Sequence, residues 1–532
     1  MSTAASPEGF TIATVSVPTT TDPQQVDKHL KSLDNQHTSS DEHFWLSSDE
    51  DITEISYSAK SDYLILVPTD AELTRTAIET IKFDIQLYGS ASLIFGDECH
   101  TSDDHPPEPI FRPNFSPLTA TGQEPVGRVP ILRRQDLSRI TPGYDPGAEA
   151  SPIAMNCHDQ GLRIRQLPSI LAHFPNSSPP IHQPDADRIQ RSAKAQHKSQ
   201  VLISIIVPTA GFPSRQSGQP AVLDLMDSLS ATIEGNTEVI IVCDEGFDTN
   251  LIPAIRERLP IEPRFFKHRR DSDHFNFARM INQGALSANG QILVFVNDDI
   301  TDLSAGWLST IRRHLTLPAT GALGAWITEP NGNLWHFGIT TQPADGGLPI
   351  CGGVDALPAY QPHAPYEARV STAVIGALFA IPAQDFWNVG GMSARFASDH
   401  NEVDLCLRLD VAGLAHTVTS GIHAVHDHGS SRGRTRNIVT EEEVQSRWQF
   451  QLASDPWRNP NVAHETLQPM ADWQHWERQR AAAMPERYVS NFTGHQAPDA
   501  TNDQDELSGC EKWPSIRTTQ LIQPRRLRHL EA

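Results

Sequence analysis

Three short apolar runs constrain the fold of this chain more than any other feature. They are VLISIIVP (201–208), EVIIVCD (238–244) and QILVFVND (291–298). Helical stretches separate them, around 219–233, 249–258 and 275–288. Continuous β-branched runs are typical of strands buried on both faces, and their alternation with helices predicts a parallel sheet. We therefore predict an α/β domain over 201–440, Rossmann-like, with a mostly parallel sheet and flanking helices.

The chain is too long for that domain alone. Its 532 residues exceed the roughly 250–300 at which a single core stops growing. Apolar runs at 63–67 and 91–95 flank a helical stretch at 70–87, which is a second β-α-β pattern. We expect a first, partial α/β domain over 43–175, followed by a proline-rich linker.

Polar segments connect and flank these domains. We predict a disordered tail at 1–42, a linker at 176–200, a helical extension at 441–488 and a flexible tail at 489–532. The last segment groups Arg525, Arg526 and Arg528 with Leu527 and Leu530, so weak peripheral contact with an anionic membrane stays open beside the favoured interpretation, a solvated tail.

Composition excludes some classes of function. The formal net charge of -23 argues against nucleic acid as a partner, because phosphate contacts need lysine or arginine. The 6 cysteines are far apart and form no zinc or dithiol motif, which favours reduced packing thiols. The first thirty residues lack a signal-peptide pattern, and no apolar run reaches the ~20 residues that cross a bilayer. We expect a soluble cytoplasmic protein, with the inner face of the plasma membrane as an alternative position.

Carboxylates follow two of the predicted strands. Asn297, Asp298 and Asp299 end the third run, and Asp244 ends the second. Open α/β sheets bind ligands at the carboxyl ends of their strands, and adjacent acids there suit a divalent cation that bridges a diphosphate. An acidic turn without function is the alternative for the triplet. Asp244 fits either a turn or an acceptor for a ribose or base.

Two further segments carry candidate chemistry. Glu402 opens the helical stretch NEVDLCLRL, in which Asp404 and Arg408 are spaced as an i, i+4 ion pair. Glu402 either points into a cleft or is an acid favoured by the helix dipole. His426 lies in HAVHDHGSSRG and suits a site for Mn²⁺ or Mg²⁺. Trp326, Trp335 and His336 fit an acceptor pocket or core packing equally well.

Eight blocks in order resemble the family 2 glycosyltransferases of the GT-A fold, and most of all the bacterial rhamnosyltransferase-like enzymes of cell-surface polysaccharide synthesis. The blocks are SIIVPT (204–209), FNFARMINQGA (275–285), NDD (297–299), LWHFGI (334–339), GG (390–391), NEVDLCLRL (401–409), HDHGSSRG (426–433) and DPWRNPN (455–461).

The resemblance implies a metal-dependent, inverting transfer of a hexosyl or rhamnosyl group. The donor would be a nucleotide-diphosphate sugar, and the acceptor a hydroxyl of a glycan or lipid-linked glycan. Asp299 and His426 would hold Mn²⁺ or Mg²⁺, and Glu402, where the family usually has aspartate, would be the catalytic base. The donor would contact Pro208, Thr209, Asp244, Asn282, Asn297, Asp298 and Arg432.

The first domain also resembles the family, namely the second half of the leading domain in tandem enzymes. Its strand-end motif reads Pro68-Thr69-Asp70, with one carboxylate, and the stretch before Phe44 is short for a nucleotide-binding half. We therefore predict a degenerate, catalytically inactive GT-A-like domain that packs on or orients the second.

Two other functions are compatible with these residues. A nucleotidyltransferase would use a similar sheet and metal carboxylates to attack phosphorus and release pyrophosphate. A non-catalytic glycan-binding scaffold would account for Asn297, Glu402 and the degenerate first domain. The sequence identifies neither the donor sugar, the linkage nor the oligomeric state.

Overall fold

The structure is a computed structural model. It describes residues 10–46, 52–102, 106–117, 126–142, 144–175, 201–270, 275–317, 319–340, 368–397, 399–427 and 438–452, together with 455, 457, 459 and 461. The predicted linker at 176–200 and tail at 489–532 lie outside these residues. Within the described residues no helix has the length and apolarity needed to cross a membrane.

A mixed sheet of eight strands forms the first half, in the order β2-β1-β3-β7-β5-β8-β4, with β6 paired to β5. The strands are β1 (Ile12–Val17), β2 (Glu42–Trp45), β3 (Tyr63–Pro68), β4 (Glu72–Leu73), β5 (Leu93–Thr101), β6 (Glu108–Ile110), β7 (Ile131–Arg133) and β8 (Ile164–Pro175). The helices are α1 (Pro23–Asp34), α2 (Ile52–Ser58), α3 (Ala77–Tyr88), α4 (Leu137–Ile140) and α5 (Ser151–Asp159).

A ten-stranded sheet forms the second half, in the order β11-β10-β9-β12-β17-β14-β18-β13, with β15 paired to β14 and β16 to β18. The strands are β9 (Ile203–Thr209), β10 (Thr237–Cys243), β11 (Arg264–Lys267), β12 (Ile292–Val296), β13 (Ile300–Thr301), β14 (Thr320–Thr328), β15 (Leu334–His336), β16 (Ala368–Ser371), β17 (Leu378–Pro382) and β18 (Ala415–His426).

Helices cover both faces of the second sheet. They are α6 (Ala221–Thr232), α7 (Leu251–Arg258), α8 (Phe277–Ser287), α9 (Trp307–His314), α10 (Ala383–Asn388), α11 (Asn401–Val411) and α12 (Ile438–Leu452). Two hydrophobic clusters lie on the two faces, because successive strand residues such as Ile205 and Ile206 point to opposite sides. The predicted α/β class is confirmed. The sheet is mixed, however, since β17 runs antiparallel to both β12 and β14.

The predicted disordered tail at 1–42 is wrong from residue 10 onward. β1 is buried along its whole length and pairs in parallel with β2 and β3. Its polar side chains are bonded: Ser16 Oγ lies 2.7 Å from His29 Nε2 of α1. Asp22 caps α1, whose first residue is a proline. The segment is ordered because its few apolar residues are concentrated in one central strand.

The two sheets repeat one pattern of pairing. β1 pairs in parallel with β2 and β3, as β9 does with β10 and β12. In the first sheet an antiparallel strand, β7, comes next and is followed by the parallel pair of β5 and β8. In the second sheet the corresponding strands are β17, then β14 and β18. The first domain therefore contains β1, the counterpart of β9, which the sequence interpretation placed in a disordered tail.

Candidate active site

The carboxyl ends of β9 and β12 meet through a side-chain hydrogen bond. Thr209 Oγ1, at the end of β9 after Pro208, donates to Asp298 Oδ2 at 2.7 Å. The same hydroxyl accepts from the backbone N–H of Gly211 at 3.0 Å. Asp298 is buried, so this bond fixes the triplet against the first strand of the sheet.

Asp244 follows β10 and is held by an arginine that the sequence interpretation missed. Its backbone N–H donates to Thr209 O at 2.8 Å. Arg270 Nε donates to Asp244 Oδ1 at 3.0 Å, and its second nitrogen pairs with Oδ2. Burial acts to raise the pKa of the Asp244 carboxyl, but the bonds from Arg270 and the Glu245 backbone outweigh it and hold that pKa below its ordinary value. Asp244 is therefore an ionised acceptor at the strand ends.

Asp299 and His426 come together across the sheet edge. His426 is the last residue of β18. It pairs with Ile300 of β13, and Ile300 follows Asp299 directly in the sequence. His426 Nε2 lies 3.0 Å from Asp299 Oδ1, and both side chains are buried. The Trp335 ring lies 4.3 Å from the imidazole, centroid to centroid. The fold thus brings into contact a carboxylate and an imidazole that are 127 positions apart in the sequence.

Asp427, the residue after His426, was not among the predicted site residues. Its Oδ2 accepts from Ser214 Oγ at 3.0 Å and from the backbone N–H of Arg215 at 2.7 Å. Its own N–H donates to Asp299 O at 3.0 Å. Asp427 therefore joins the loop after β9 to the Asp299 turn. Little in the sequence indicated this role, because the residues that bond Asp427 lie in a loop more than two hundred positions away.

Asn297 presents a buried amide oxygen to the same region. Its backbone N–H donates to Ala377 O at 2.8 Å. Its Oδ1 is buried and has no hydrogen-bond partner within the part of the chain that the structure describes. A buried acceptor left in this state favours a bound group that donates to it or coordinates it.

Glu402 lies in the first turn of α11, beside the loop that bonds Asn297. A Cβ built on Gly376 would be 3.6 Å from Glu402 Oε2, and Gly376 precedes Ala377. The carboxylate is half-buried. Glu402 and the strand-end triplet therefore border the same loop from two sides.

Asn282, a predicted donor contact, is bonded to the backbone of Met392. Its Nδ2 donates to Met392 O at 2.8 Å, and its Oδ1 accepts from Met392 N–H at 2.9 Å. Both amide atoms hold the backbone that follows Gly390–Gly391. The side chain thus shapes a loop, because its donor and acceptor bond the C=O and the N–H of the same residue, Met392. The predicted contact residue Arg432 lies outside the described residues.

The two tryptophans that the sequence suggested for an acceptor pocket lie in different surroundings. Trp326 packs on Phe337, with ring centroids 5.1 Å apart, against a core cluster. Trp335 contacts His426 as described. His336 is buried, and burial lowers its pKa to about 3, so this imidazole is neutral. Of the three, Trp335 borders the candidate site.

No protein-family model matches the chain. Two curated relatives do. The protein y4gI of Sinorhizobium fredii is 27% identical over 285 residues, covering 50% of this chain and 29% of its own length. The O-antigen biosynthesis protein RfbC of Myxococcus xanthus is 22% identical over 442 residues, covering 76% of this chain and 33% of its own length. The chain thus spans about a third of the length of these relatives.

Several solved structures are similar to the chain. GalNAc-T7 with UDP, GalNAc and Mn²⁺ has 13% identity and a TM-score of 0.37, covering 53% of this chain and 54% of that one. The mannosyltransferase PcManGT of Pyrobaculum calidifontis with GDP-Man and Mn²⁺ has 15% identity and a TM-score of 0.30, covering 46% and 64%. S. aureus TarS 1-349 has 15% identity and a TM-score of 0.29, covering 42% and 60%. These TM-scores are low, so the description of the fold rests on the strand order of this chain.

Proposed function

We propose that the second domain is a family 2, GT-A glycosyltransferase that moves a sugar from a nucleotide-diphosphate donor to a hydroxyl of a glycan or lipid-linked acceptor. One observation carries the proposal: side chains from separate strands converge at the carboxyl ends of the sheet, namely Thr209 with Asp298 and Asp299 with His426. This is where open α/β sheets bind their ligands. Glu402 lies against Gly376, in the loop whose next residue, Ala377, bonds Asn297.

A divalent cation, Mn²⁺ or Mg²⁺, fits the donor set at this edge. Asp299 Oδ1 and His426 Nε2 lie 3.0 Å apart and both side chains are buried, so a carboxylate oxygen and an imidazole nitrogen are placed together as Mn²⁺ or Mg²⁺ would need them. Within the described residues no group of three or more His, Cys, Asp or Glu side chains is placed to hold a metal. The proposed protein ligands are Asp299 and His426, whose side chains are already in contact, and substrate phosphates and water would complete the site. When bound, such an ion supplies Lewis-acid neutralisation of a leaving diphosphate.

The nucleotide would lie against the ends of β9 and β10. Pro208 and Thr209 end β9 and would contact the nucleotide there, and the Thr209 hydroxyl keeps Asp298 in place. Asp244, ionised beside Arg270, would accept hydrogen bonds from the ribose or base. Asn297 Oδ1 is a buried hydrogen-bond acceptor, and it would contact the bound nucleotide sugar. These contacts would fix the orientation of the donor's C1, which accounts for much of the rate gain in bimolecular reactions.

Glu402 would act as the base. Its place in the first turn of α11 favours an anionic carboxylate, since the amino end of a helix is electropositive. Glu402 would take the proton of the acceptor hydroxyl while that oxygen forms a bond to C1 and the C1–O bond to the diphosphate breaks. A single displacement inverts the anomeric centre and needs one base.

The name of one relative supports the proposed class of acceptor. The Myxococcus xanthus protein is named for O-antigen biosynthesis, which supports a polysaccharide or its lipid-linked precursor as acceptor.

A donor screen tests the proposal. Purified full-length chain is incubated with Mn²⁺, a panel of nucleotide-diphosphate sugars and bacterial lipid-linked glycan, and the released nucleotide is measured. We expect one donor to release nucleoside diphosphate, and excess chelator to abolish the release. Release of pyrophosphate from a sugar phosphate and a nucleoside triphosphate would instead identify a nucleotidyltransferase. Full activity in chelator would contradict the proposed metal role.

A further inference from the structure

One segment after the second sheet contacts the surroundings of Glu402 on two sides. The segment consists of α12 and the described residues 455, 457, 459 and 461, and we call it the strap. Asp404, two residues after Glu402, is fully buried on α11. Its Oδ1 accepts from Trp448 Nε1 of α12 at 3.0 Å and lies 3.3 Å from Arg447 Nε. The strap therefore holds the helix that carries Glu402.

The strap also holds the loop on the other side of Glu402. Thr372 Oγ1 donates to Asp455 Oδ1 at 2.9 Å, and both residues are buried. Thr372 begins the stretch that leads to Gly376, against which the Glu402 carboxylate lies. Movement of the strap would therefore displace both neighbours of Glu402.

The far end of the strap is anchored in the first domain. Asn459 Nδ2 donates to both carboxylate oxygens of Asp97, at 3.0 Å and 2.9 Å, and to Arg112 O at 3.0 Å. Asn459 is 4% exposed and Asp97, on β5, is 0% exposed. A buried amide on a buried carboxylate is a strong charge-assisted contact. Asn461 Nδ2 adds a bond to Pro168 O at 3.3 Å.

Asp97 is itself fixed within the first sheet. Its Oδ1 accepts from the backbone N–H of Arg112 at 2.8 Å. Arg112 in turn pairs with Glu98 at 2.9 Å, and both partners are buried. The anchor is thus part of a buried, hydrogen-bonded cluster in the first domain.

We infer that Asn459 is a positioning residue for Glu402, with Asp97 of the first domain as its anchor. The first domain would then serve the second by holding the strap, and through it the helix and the loop that border the base. This inference rests on the proposed function for the role of Glu402, but the mechanical connection can be measured without any substrate.

Hydrogen–deuterium exchange of the full-length chain tests the connection. Asn459→Ala should speed exchange about tenfold or more in peptides covering 372–377 and 401–411. Asn156→Ala is the matched control, because Asn156 Nδ2 bonds Ile140 O and Pro142 O within the first domain, away from the strap. Unchanged exchange in Asn459→Ala, or equal acceleration in Asn156→Ala, would overturn the inference.

Thr372 gives a second test if Asn459→Ala does not fold. Thr372→Val removes the hydroxyl that bonds Asp455 and should speed exchange in 401–411, whereas Thr372→Ser keeps the hydroxyl and should restore protection. Equal exchange in the two variants would contradict the inference.

Transfer kinetics then connect the strap to the base. Asn459→Ala should lower kcat at least fivefold while leaving the Kd for Mn²⁺ with nucleoside diphosphate unchanged, since Asp299 and His426 are not on the strap. A parallel loss of nucleotide affinity would overturn the positioning role. A wild-type chain that transfers no sugar would remove the proposed function, while the exchange results would still decide the mechanical inference.

Discussion

Adjacent side chains of the strand-end triplet turn to different neighbours. Asp298 bonds Thr209 of β9, whereas Asp299 lies against His426 of β18. The two carboxylates therefore differ in their contacts, since Asp298 fixes the turn to β9 and Asp299 faces His426, with which we propose that it would hold a cation. The resemblance in sequence predicted these residues together. It could not predict the partners that fix them, Arg270 and Asp427, because those bonds depend on loops with no periodic pattern.

Glu402→Gln should remove sugar transfer and leave nucleotide binding unchanged. The amide keeps the size of the side chain but cannot accept the acceptor's proton, and loss of a general base costs about 10²–10⁴ in rate. Steady-state rates and calorimetry with Mn²⁺ and nucleoside diphosphate measure the two properties. Glu257→Gln on the exposed face of α7 is the control and should behave as wild type. A Glu402→Gln rate above about a tenth of wild type would exclude this residue as the base.

His416 makes the second domain sensitive to acid. Its Nδ1 accepts from Ala322 N–H at 3.0 Å, and its Nε2 lies 2.9 Å from Cys406 O, so β14, β18 and α11 meet at one neutral imidazole. Burial lowers its pKa to about 4. In the unfolded chain the imidazole takes up a proton near pH 6.5. The unfolded state therefore gains protons first as the pH falls, and stability is lost between about pH 6.5 and pH 4.

His416→Gln should flatten this pH dependence. From the pKa difference, wild type should lose about 2 kcal/mol more than the variant between pH 7 and pH 5. Urea unfolding at both pH values gives the two free-energy differences. Equal losses in wild type and variant would show that His416 does not titrate as described.

Among the elements, buried strands were easy to predict and polar ones were not. β9, β10 and β12 lie within two residues of their predicted bounds, because continuous β-branched runs fit one environment only. β1 escaped prediction because Thr14 and Ser16 alternate with its apolar residues and the flanking residues are polar. A signal was nevertheless present: Val17-Pro18-Thr19 repeats Val207-Pro208-Thr209 at the end of β9.

Gly284 shows how closely α8 approaches the sheet. A Cβ at this position would clash with Ile206 Cγ2 and lie 3.1 Å from Val242 Cγ2, and both residues are buried. Gly284→Ala gains about 1 kcal/mol in helix propensity. We expect net destabilisation by about 1–2 kcal/mol, because overpacking of a rigid strand costs more than that gain. Chemical unfolding at pH 7 measures it, and an unchanged or higher stability would contradict the close packing.

At the scale of the whole molecule, the two halves share an equivalent threonine–aspartate hydrogen bond but differ at the residue that follows the aspartate. Thr19 Oγ1 bonds Asp70 in the first sheet, as Thr209 bonds Asp298 in the second. The residue that follows is Ala71 in the first half and Asp299 in the second. Arg128 donates two bonds to Asp70, at 2.9 Å and 3.0 Å. In the first half a guanidinium thus neutralises the remaining carboxylate.

The full chain should therefore bind one Mn²⁺–nucleotide complex. Calorimetry with Mn²⁺ and uridine, guanosine or thymidine diphosphate should give a stoichiometry of about one per chain for the nucleotide that binds. Asp70→Asn should leave that number unchanged, since Arg128 already neutralises the first site. Two equivalents in wild type, or a loss of binding in Asp70→Asn, would mean that the first domain also binds.

The position of the cation tests the central claim most directly. Crystals of the full-length chain grown with MnCl₂ and the nucleoside diphosphate that binds would be measured for the anomalous scattering of manganese. We predict one peak in the second domain, within bonding distance of Asp299 Oδ1 and His426 Nε2. A peak held by other side chains, or bound nucleotide with no manganese at this pair, would contradict the account.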